Sequence, residues 1–114
     1  MTLTVFEYVR ADGSSPFRRW FDRLDAQAAA KVATATARLA MGNTSSVKWL
    51  GTIAEYRIDW GPGYRIYLGR DGEILIVLLG GGTKKNQDAD IAQARMLWSE
   101  YKARKATSRP KGKR

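Results

Sequence analysis

Apolar residues alternate with polar ones at three places along the chain and recur at helical spacing at three others. Between Thr2 and Arg10, "TLTVFEYVR" sets Leu3, Val5, Glu7 and Val9 against Thr4, Phe6 and Tyr8. Its β-branched and aromatic content predicts a first strand. Phe17, Trp20, Phe21 and Leu24 follow at i, i+3, i+4 and i+7, the stripe of a short helix. Ser15 is its expected N-cap and Pro16 its first residue. A second helix, "AQAAAKVATATARLAM", is capped by Asp25, carries Ala28, Val32, Ala35 and Leu39 on one face, and stops at Gly42-Asn43. Asn43–Gly51, "NTSSVKWLG", reads as a loop.

The second half is strand-rich. "IAEYRID" (Ile53–Asp59) puts Ala54, Tyr56 and Ile58 on one side and Glu55, Arg57 and Asp59 on the other. "WGPG" turns the chain into "YRIYLG", where Tyr64, Ile66 and Leu68 oppose Arg65 and Tyr67. "RDG" signals a short hairpin, and "ILIVLL" (Ile74–Leu79) is apolar on both faces, as a central strand is. "GGGTKKNQD" reads as a cationic glycine loop. Beyond it Ile91, Ala94, Trp98 and Tyr101 keep helical spacing, with Asp88 and Asp90 in the first turn. The order strand, helix, helix, three strands, helix predicts an α+β domain over residues 1–103. Its expected sheet is four-stranded and mostly antiparallel, with the helices packed on one face. Residues 104–114 form a basic, disordered tail on this reading.

Composition narrows the chemistry. The chain has no cysteine, which excludes a disulfide framework, a thiolate metal site and a catalytic thiol. It also has no histidine, which removes the usual general base and the commonest metal ligand. Chemistry must therefore come from Lys, Arg, Tyr, Asp, Glu, Ser or Thr, and no metal or cofactor is expected. No apolar run approaches the roughly twenty residues of a membrane helix. The N-terminus lacks a basic-then-apolar secretory pattern, so a cytoplasmic protein is expected. The net charge is +9, yet residues 102–114 hold seven cations and no acid, which leaves the remainder at only +2. A basic tail favours polyanions through counterion release, and it equally serves as a solvated end.

Within the body, side-chain direction is the informative feature. With a period of two, Arg57 on one strand and Arg65 and Tyr67 on the next share a face, away from the apolar set Tyr56, Ile58, Ile66 and Leu68. Neighbouring cations on a strand pair repel unless an anion lies between them. The bland alternative is a wet face where Glu55 and Asp59 pair the arginines. The glycine loop has the look of a phosphate cradle, although it lacks the G-x-x-x-x-G-K-[ST] spacing. If it folds back, Lys84 or Lys85 arrives near Arg57 and Arg65.

These residues also carry a resemblance. "EYRIDWGPGYRIYLGRDGEILIVLLGGGTKKNQDADIAQA" is similar to the addiction-module killer proteins, the HigB-like branch of the RelE/ParE toxin superfamily. The likeness lies in the "GPGYR-Y" turn and strand, the "GG-K" loop and the "QD-DI" helix start. The "F-RWFDRL" helix and "KWL" segment agree in position, so the resemblance covers roughly residues 3–103. It implies a RelE-like α+β fold, ribosome-dependent mRNA cleavage that inhibits translation, and a neighbouring antitoxin of helix-turn-helix type. A toxin–antitoxin heterotetramer is one stored form it implies. Superfamily members often bring a histidine or a C-terminal tyrosine into the site, and this chain has no histidine.

Cleavage by a 2′-OH needs a base, cationic stabilisation of the phosphoryl oxygens and an acid for the departing 5′-oxygen. Arg65 with Arg57 is assigned to charge stabilisation, Lys84 or Lys85 to the base that takes the 2′-OH proton, and Tyr67 to orientation or proton donation. Lys48, Trp49 and Tyr64 are expected to contact RNA in the body, and Lys102, Arg104 and Lys105 from the basic end. Two competing readings remain: a gyrase inhibitor of the ParE kind, and a non-catalytic basic nucleic-acid-binding protein.

Overall fold

A computed structural model describes residues 1–108. Nine elements follow in order: β1 (Thr4–Glu7), α1 (Pro16–Asp22), α2 (Ala26–Ala40), β2 (Val47–Leu50), β3 (Ile53–Ile58), β4 (Tyr64–Asp71), β5 (Leu75–Thr83), a 3-10 turn (Lys84–Asn86) and α3 (Gln87–Ser108). The expected caps form. Ser15 accepts from the Arg18 N–H, Asp25 accepts from the Ala28 N–H, and Gly42 ends α2 at φ 88°. The Asn43 N–H then reaches the Arg38 carbonyl, which satisfies a helix-end acceptor.

The sheet is α+β in class but differs from expectation in three ways. It has five strands, in the order β1-β5-β4-β3-β2, and it is mixed: β1 runs parallel to β5, while the other pairs are antiparallel. The added strand is β2, inside the segment read as a loop. Four residues with Lys48 between Val47 and Trp49 give too short an alternation to announce a strand. Gly51, at φ 77°, closes the tight hairpin that pairs Leu50 with Ile53.

Helices cover both faces rather than one. On the first face Phe17, Trp20, Val32, Ala35 and Leu39 from α1 and α2 pack on Ala54, Tyr56, Ile66, Leu68, Ile76 and Leu78. On the other face Ala94, Leu97 and Trp98 of α3 pack on Ile53, Tyr67, Val77 and Leu79. A strand apolar on both sides exposes as much oil on one face as on the other, so a second cover follows. β5 is that strand, and it lies inside the sheet between β1 and β4.

Gly80, Gly81 and Gly82 are not a loop. They continue β5, paired with Tyr67, Ile66 and Arg65, past a bulge at Tyr67/Leu68. None has positive φ. Close packing explains two of them instead, Gly81 and Gly82. A Cβ on Gly81 would lie 2.3 Å from the Trp20 ring, and one on Gly82 would lie 2.0 Å from Asp90 Oδ2. The phosphate-cradle expectation therefore fails for these three residues, because they form an extended strand paired with β4 rather than a loop. Among the described residues no helix is long and apolar enough to cross a membrane.

Candidate functional site

The β3–β4 register sets Arg57 directly opposite Arg65 and Glu55 directly opposite Tyr67; the β2–β3 register sets Lys48 opposite Glu55. Residues opposite one another in an antiparallel pair share a face. Lys48, Glu55, Arg57, Arg65 and Tyr67 therefore lie on the α3 side of the sheet. Toward the Gly61–Gly63 end this face opens into a depression of about 580 Å³, lined by Ser45, Ser46, Lys48, Arg57, Asp59, Gly63, Arg65 and Lys84.

Glu55 organises the cations. It is fully buried, its Oε1 accepts from Arg57 Nε at 2.7 Å, and its Oε2 accepts from Gln87 Nε2 at 3.1 Å. Arg65 Nε lies 3.7 Å from the same Oε2 and closes no hydrogen bond. One carboxylate thus stands against two guanidiniums that would otherwise repel across the ladder. Its oxygens are occupied and buried, so it positions the arginines and does not reach a substrate. Arg57 is half exposed above it, while the Arg65 side chain is 9% exposed.

Gly63 ties the turn to the lysines. Its carbonyl accepts from Arg65 Nη1 at 3.0 Å and from the Lys84 backbone N–H at 3.0 Å. At φ 80° it adopts a backbone that glycine tolerates best. The Trp60–Gly63 turn and the 3-10 turn after β5 are held together at this oxygen, and Lys84 is carried to the wall of the depression.

The other expected site residues are dispersed. Lys85 is exposed and does not line the depression. Tyr67 is 1% exposed beneath α3, and its hydroxyl finds no hydrogen-bond partner among the described residues. Burial first, then the Glu55 and Asp90 carboxylates, push its pKa up to about 12 against the opposing pull of Arg65 and Arg57. Tyr67 borders a separate small cavity with Arg19, Arg23, Gly80 and Asp90 instead. Burial also raises the Asp90 carboxyl. Tyr64 points to the opposite face, stacked on Trp60 at 6.0 Å and tilted against Trp20 at 6.4 Å. Trp49, opposite Ala54, also belongs to that face and is half exposed.

The basic end is part of the helix as far as Ser108. Lys102 lies over the Trp98 ring, Arg104 donates to the Val9 carbonyl at 2.8 Å, and Lys105 Nζ donates to Asp71 at 2.6 Å. Arg104 and Lys105 are thereby anchored to the body, far along α3 from the depression. The rest of the expected tail, residues 109–114, lies outside the described residues.

Sequence reasoning assigned no catalytic part to Asp59, Glu55 or Gln87. Among the described residues Asp59 is the one acidic residue lining the depression. The i, i+2, i+4 spacing of Glu55, Arg57 and Asp59 was the available signal for two of them. Gln87 comes from the start of α3, thirty-two residues away from Glu55, and no local pattern announces it.

No family model matches the chain. It is 42% identical over 86 residues to a Haemophilus influenzae protein described only as uncharacterized, spanning 74% of this chain and 87% of that protein.

Proposed function

The chain belongs to the same family as this Haemophilus influenzae protein, and from the residues of its own cationic depression we propose that it is a metal-independent endoribonuclease. On this reading it cuts translated mRNA and stops translation, as the toxin of a RelE/HigB-like toxin–antitoxin module held in check by a cognate antitoxin. The observation that supports this is the gathering of Lys48, Arg57, Arg65 and Lys84 around one depression, over a buried carboxylate that keeps the two arginines side by side.

The phosphodiester sits between Arg57 and Arg65, whose guanidiniums take the charge that builds on the non-bridging oxygens. Asp59 accepts the 2′-OH proton as the 2′-oxygen attacks phosphorus. The bond from phosphorus to the 5′-oxygen breaks, and the Lys84 ammonium supplies the proton to the departing oxygen. The products are a 2′,3′-cyclic phosphate and a 5′-hydroxyl, and solvent restores both protonation states. Lys48 holds a flanking phosphate. Tyr67 and Lys85 have no part in these steps. With no histidine and a half-open site, the free protein is slow, and the ribosome supplies the in-line geometry of the mRNA.

The test is cleavage of an mRNA during translation, mapped by end chemistry. Arg57→Gln and Lys84→Met, both at exposed positions, are each expected to slow cutting by at least about 100-fold, the usual span of one such group. A 2′-deoxy substitution at the cut site should abolish it. Full activity in both variants sinks the assignment. Relaxed plasmid DNA or a DNA-damage response without mRNA loss selects the gyrase-inhibitor reading instead. Deleting residues 109–114 removes four cations and should lower the salt slope of RNA binding by at most about three. Loss of all binding on that deletion selects the non-catalytic binding protein.

A further inference from the structure

β1 pairs with β5 only as far as Leu78, whose carbonyl accepts from the Tyr8 N–H. Past that point Gly80 and Gly81 run on with β4 on one side and, among the described residues, no strand on the other. α1 and α3 close over this gap from the two faces of the sheet and leave a cavity of about 210 Å³ between them. Its floor is Tyr67, Leu79, Gly80 and Gly81, with Trp20 and Ala94 supplied by the helices. The absence of a side chain at position 80 keeps it open, since a Cβ there would meet nothing within 4 Å.

Two polar groups lining this cavity lack partners. Tyr67 is 1% exposed, and its hydroxyl closes no hydrogen bond among the described residues. Asp90 comes from the first turn of α3, and no donor among the described residues bonds its carboxylate. Burial raises that carboxyl, and its charge is near enough to Tyr67 to help raise the phenol. A buried donor and a buried acceptor left unmade carry a desolvation cost that a bound molecule can relieve. At the mouth Arg19 and Arg23 stand one helical turn apart, exposed, and join no ion pair among the described residues. The charge of Arg19 reaches Asp12, which is itself bonded to Ser14. Arg10, on the same rim, is held by Glu100 at 2.8 Å.

A hydroxyl donor beside a carboxylate complements an edge that offers one acceptor followed by two donors. Guanine has that edge, with O6 next to N1–H and N2–H, whereas each other RNA base offers a single donor group there. We propose that this cavity is a guanine-nucleotide site. The base enters edge-first, O6 accepts from the Tyr67 hydroxyl, and N1–H and N2–H donate to Asp90. The phosphate stays at the mouth on Arg19 and Arg23. Size agrees: about 210 Å³ lies below the roughly 300–1,000 Å³ of a pocket for a drug-sized ligand. It suits one base with its sugar and phosphate left outside. The same chemistry reaches the protein as a free nucleotide or as an unpaired guanine of an RNA strand. The cavity is separate from the cationic depression and does not depend on the cleavage reading.

The experiment titrates isotope-labelled full-length protein with guanosine monophosphate. The Gly80 and Gly81 amide resonances are expected to move, and the adenosine, cytidine and uridine monophosphates should bind at least about ten-fold more weakly. Inosine monophosphate, which lacks the exocyclic amino group, should also lose about ten-fold, and Asp90→Asn should erase most of that difference. Guanosine without its phosphate should bind more weakly, and replacing Arg19 and Arg23 together by glutamine should remove the gap. Gly80→Val fills the cavity and should abolish binding. Should that variant fail to fold, Tyr67→Phe deletes a single oxygen and should weaken binding by about ten-fold. A short RNA with one unpaired guanine that binds equally well makes the ligand a base of a strand; binding of the mononucleotide alone makes it a free nucleotide. Both outcomes uphold the site. No binding up to about 1 mM guanosine monophosphate overturns the proposal, as does equal binding of the adenosine nucleotide. Undiminished binding to Tyr67→Phe, or shifts confined to the Arg57–Arg65 depression, overturn it too.

Discussion

Arg57 stands directly across the β3–β4 ladder from Arg65, and both lie against a single buried carboxylate, that of Glu55. Like charges in register are ordinarily unfavourable. Here the pair is tolerated because the anion is built into the protein floor, beneath a half-exposed Arg57 and a buried Arg65.

Removing that anion should be costly. Glu55→Gln leaves Arg65 with a buried, uncompensated charge, and breaking such a pair typically costs about 3–5 kcal/mol. Urea unfolding is expected to show a loss of that order, with Arg57, half exposed, contributing little of it. Replacing both Glu55 and Arg65 by methionine should recover most of the stability while cleavage stays lost. A Glu55→Gln protein as stable as the parent would mean the carboxylate does not hold the arginines.

Tyr67→Phe separates burial from chemistry. The hydroxyl is buried without a partner, so deleting it should be neutral or stabilising by up to about 1 kcal/mol. Cleavage should stay within about two-fold of the parent. A loss of about 100-fold would restore Tyr67 as a proton donor.

Adjacent glycines should behave very differently. Gly81→Ala drives a methyl into the Trp20 ring at 2.3 Å and should destabilise by about 1–3 kcal/mol or more. Gly80→Ala meets nothing within 4 Å and should lie within about 0.5 kcal/mol of the parent. Equal effects in thermal melts would show that packing is not what these positions need.

Alkaline titration reads the tyrosines. Burial and nearby carboxylates raise Tyr67 to about 12; burial and the Asp71 carboxylate raise Tyr101 to about 12. Their neutral forms are favoured in the fold, so their contribution is fully present below the ordinary tyrosine value near 10. It is lost as pH climbs through the folded values. Phenolate absorbance should rise in two stages, the later one accompanied by unfolding. A single transition near pH 10 with the fold intact would contradict the burial of both rings.

The sequence disclosed what depends on short-range periodicity. α1 and α2, their caps, and the shared face of Arg57 and Arg65 follow from spacings of two, three and four residues. What stayed hidden depends on distance along the chain. β1 finds its neighbour only at Leu75–Leu78, so parallel pairing has no local signature. Three glycines read as a loop because no local pattern shows that Gly81 packs on Trp20 or that Gly82 packs on Asp90. α3 over the second face was foreshadowed by the doubly apolar run at Ile74–Leu79, which demanded a cover without saying which helix supplies it. Lys84 reached the depression through the Gly63 carbonyl, twenty-one residues earlier in the chain.

The parallel seam between β1 and β5 also governs assembly in time. The opening strand waits through two helices and three strands before its neighbour exists, and closing so long a loop carries an entropic charge that local contacts do not. Such non-local closure slows folding. During synthesis the first strand is therefore left unpaired until nearly the whole domain has been made, and the newborn chain is most open to capture in that interval.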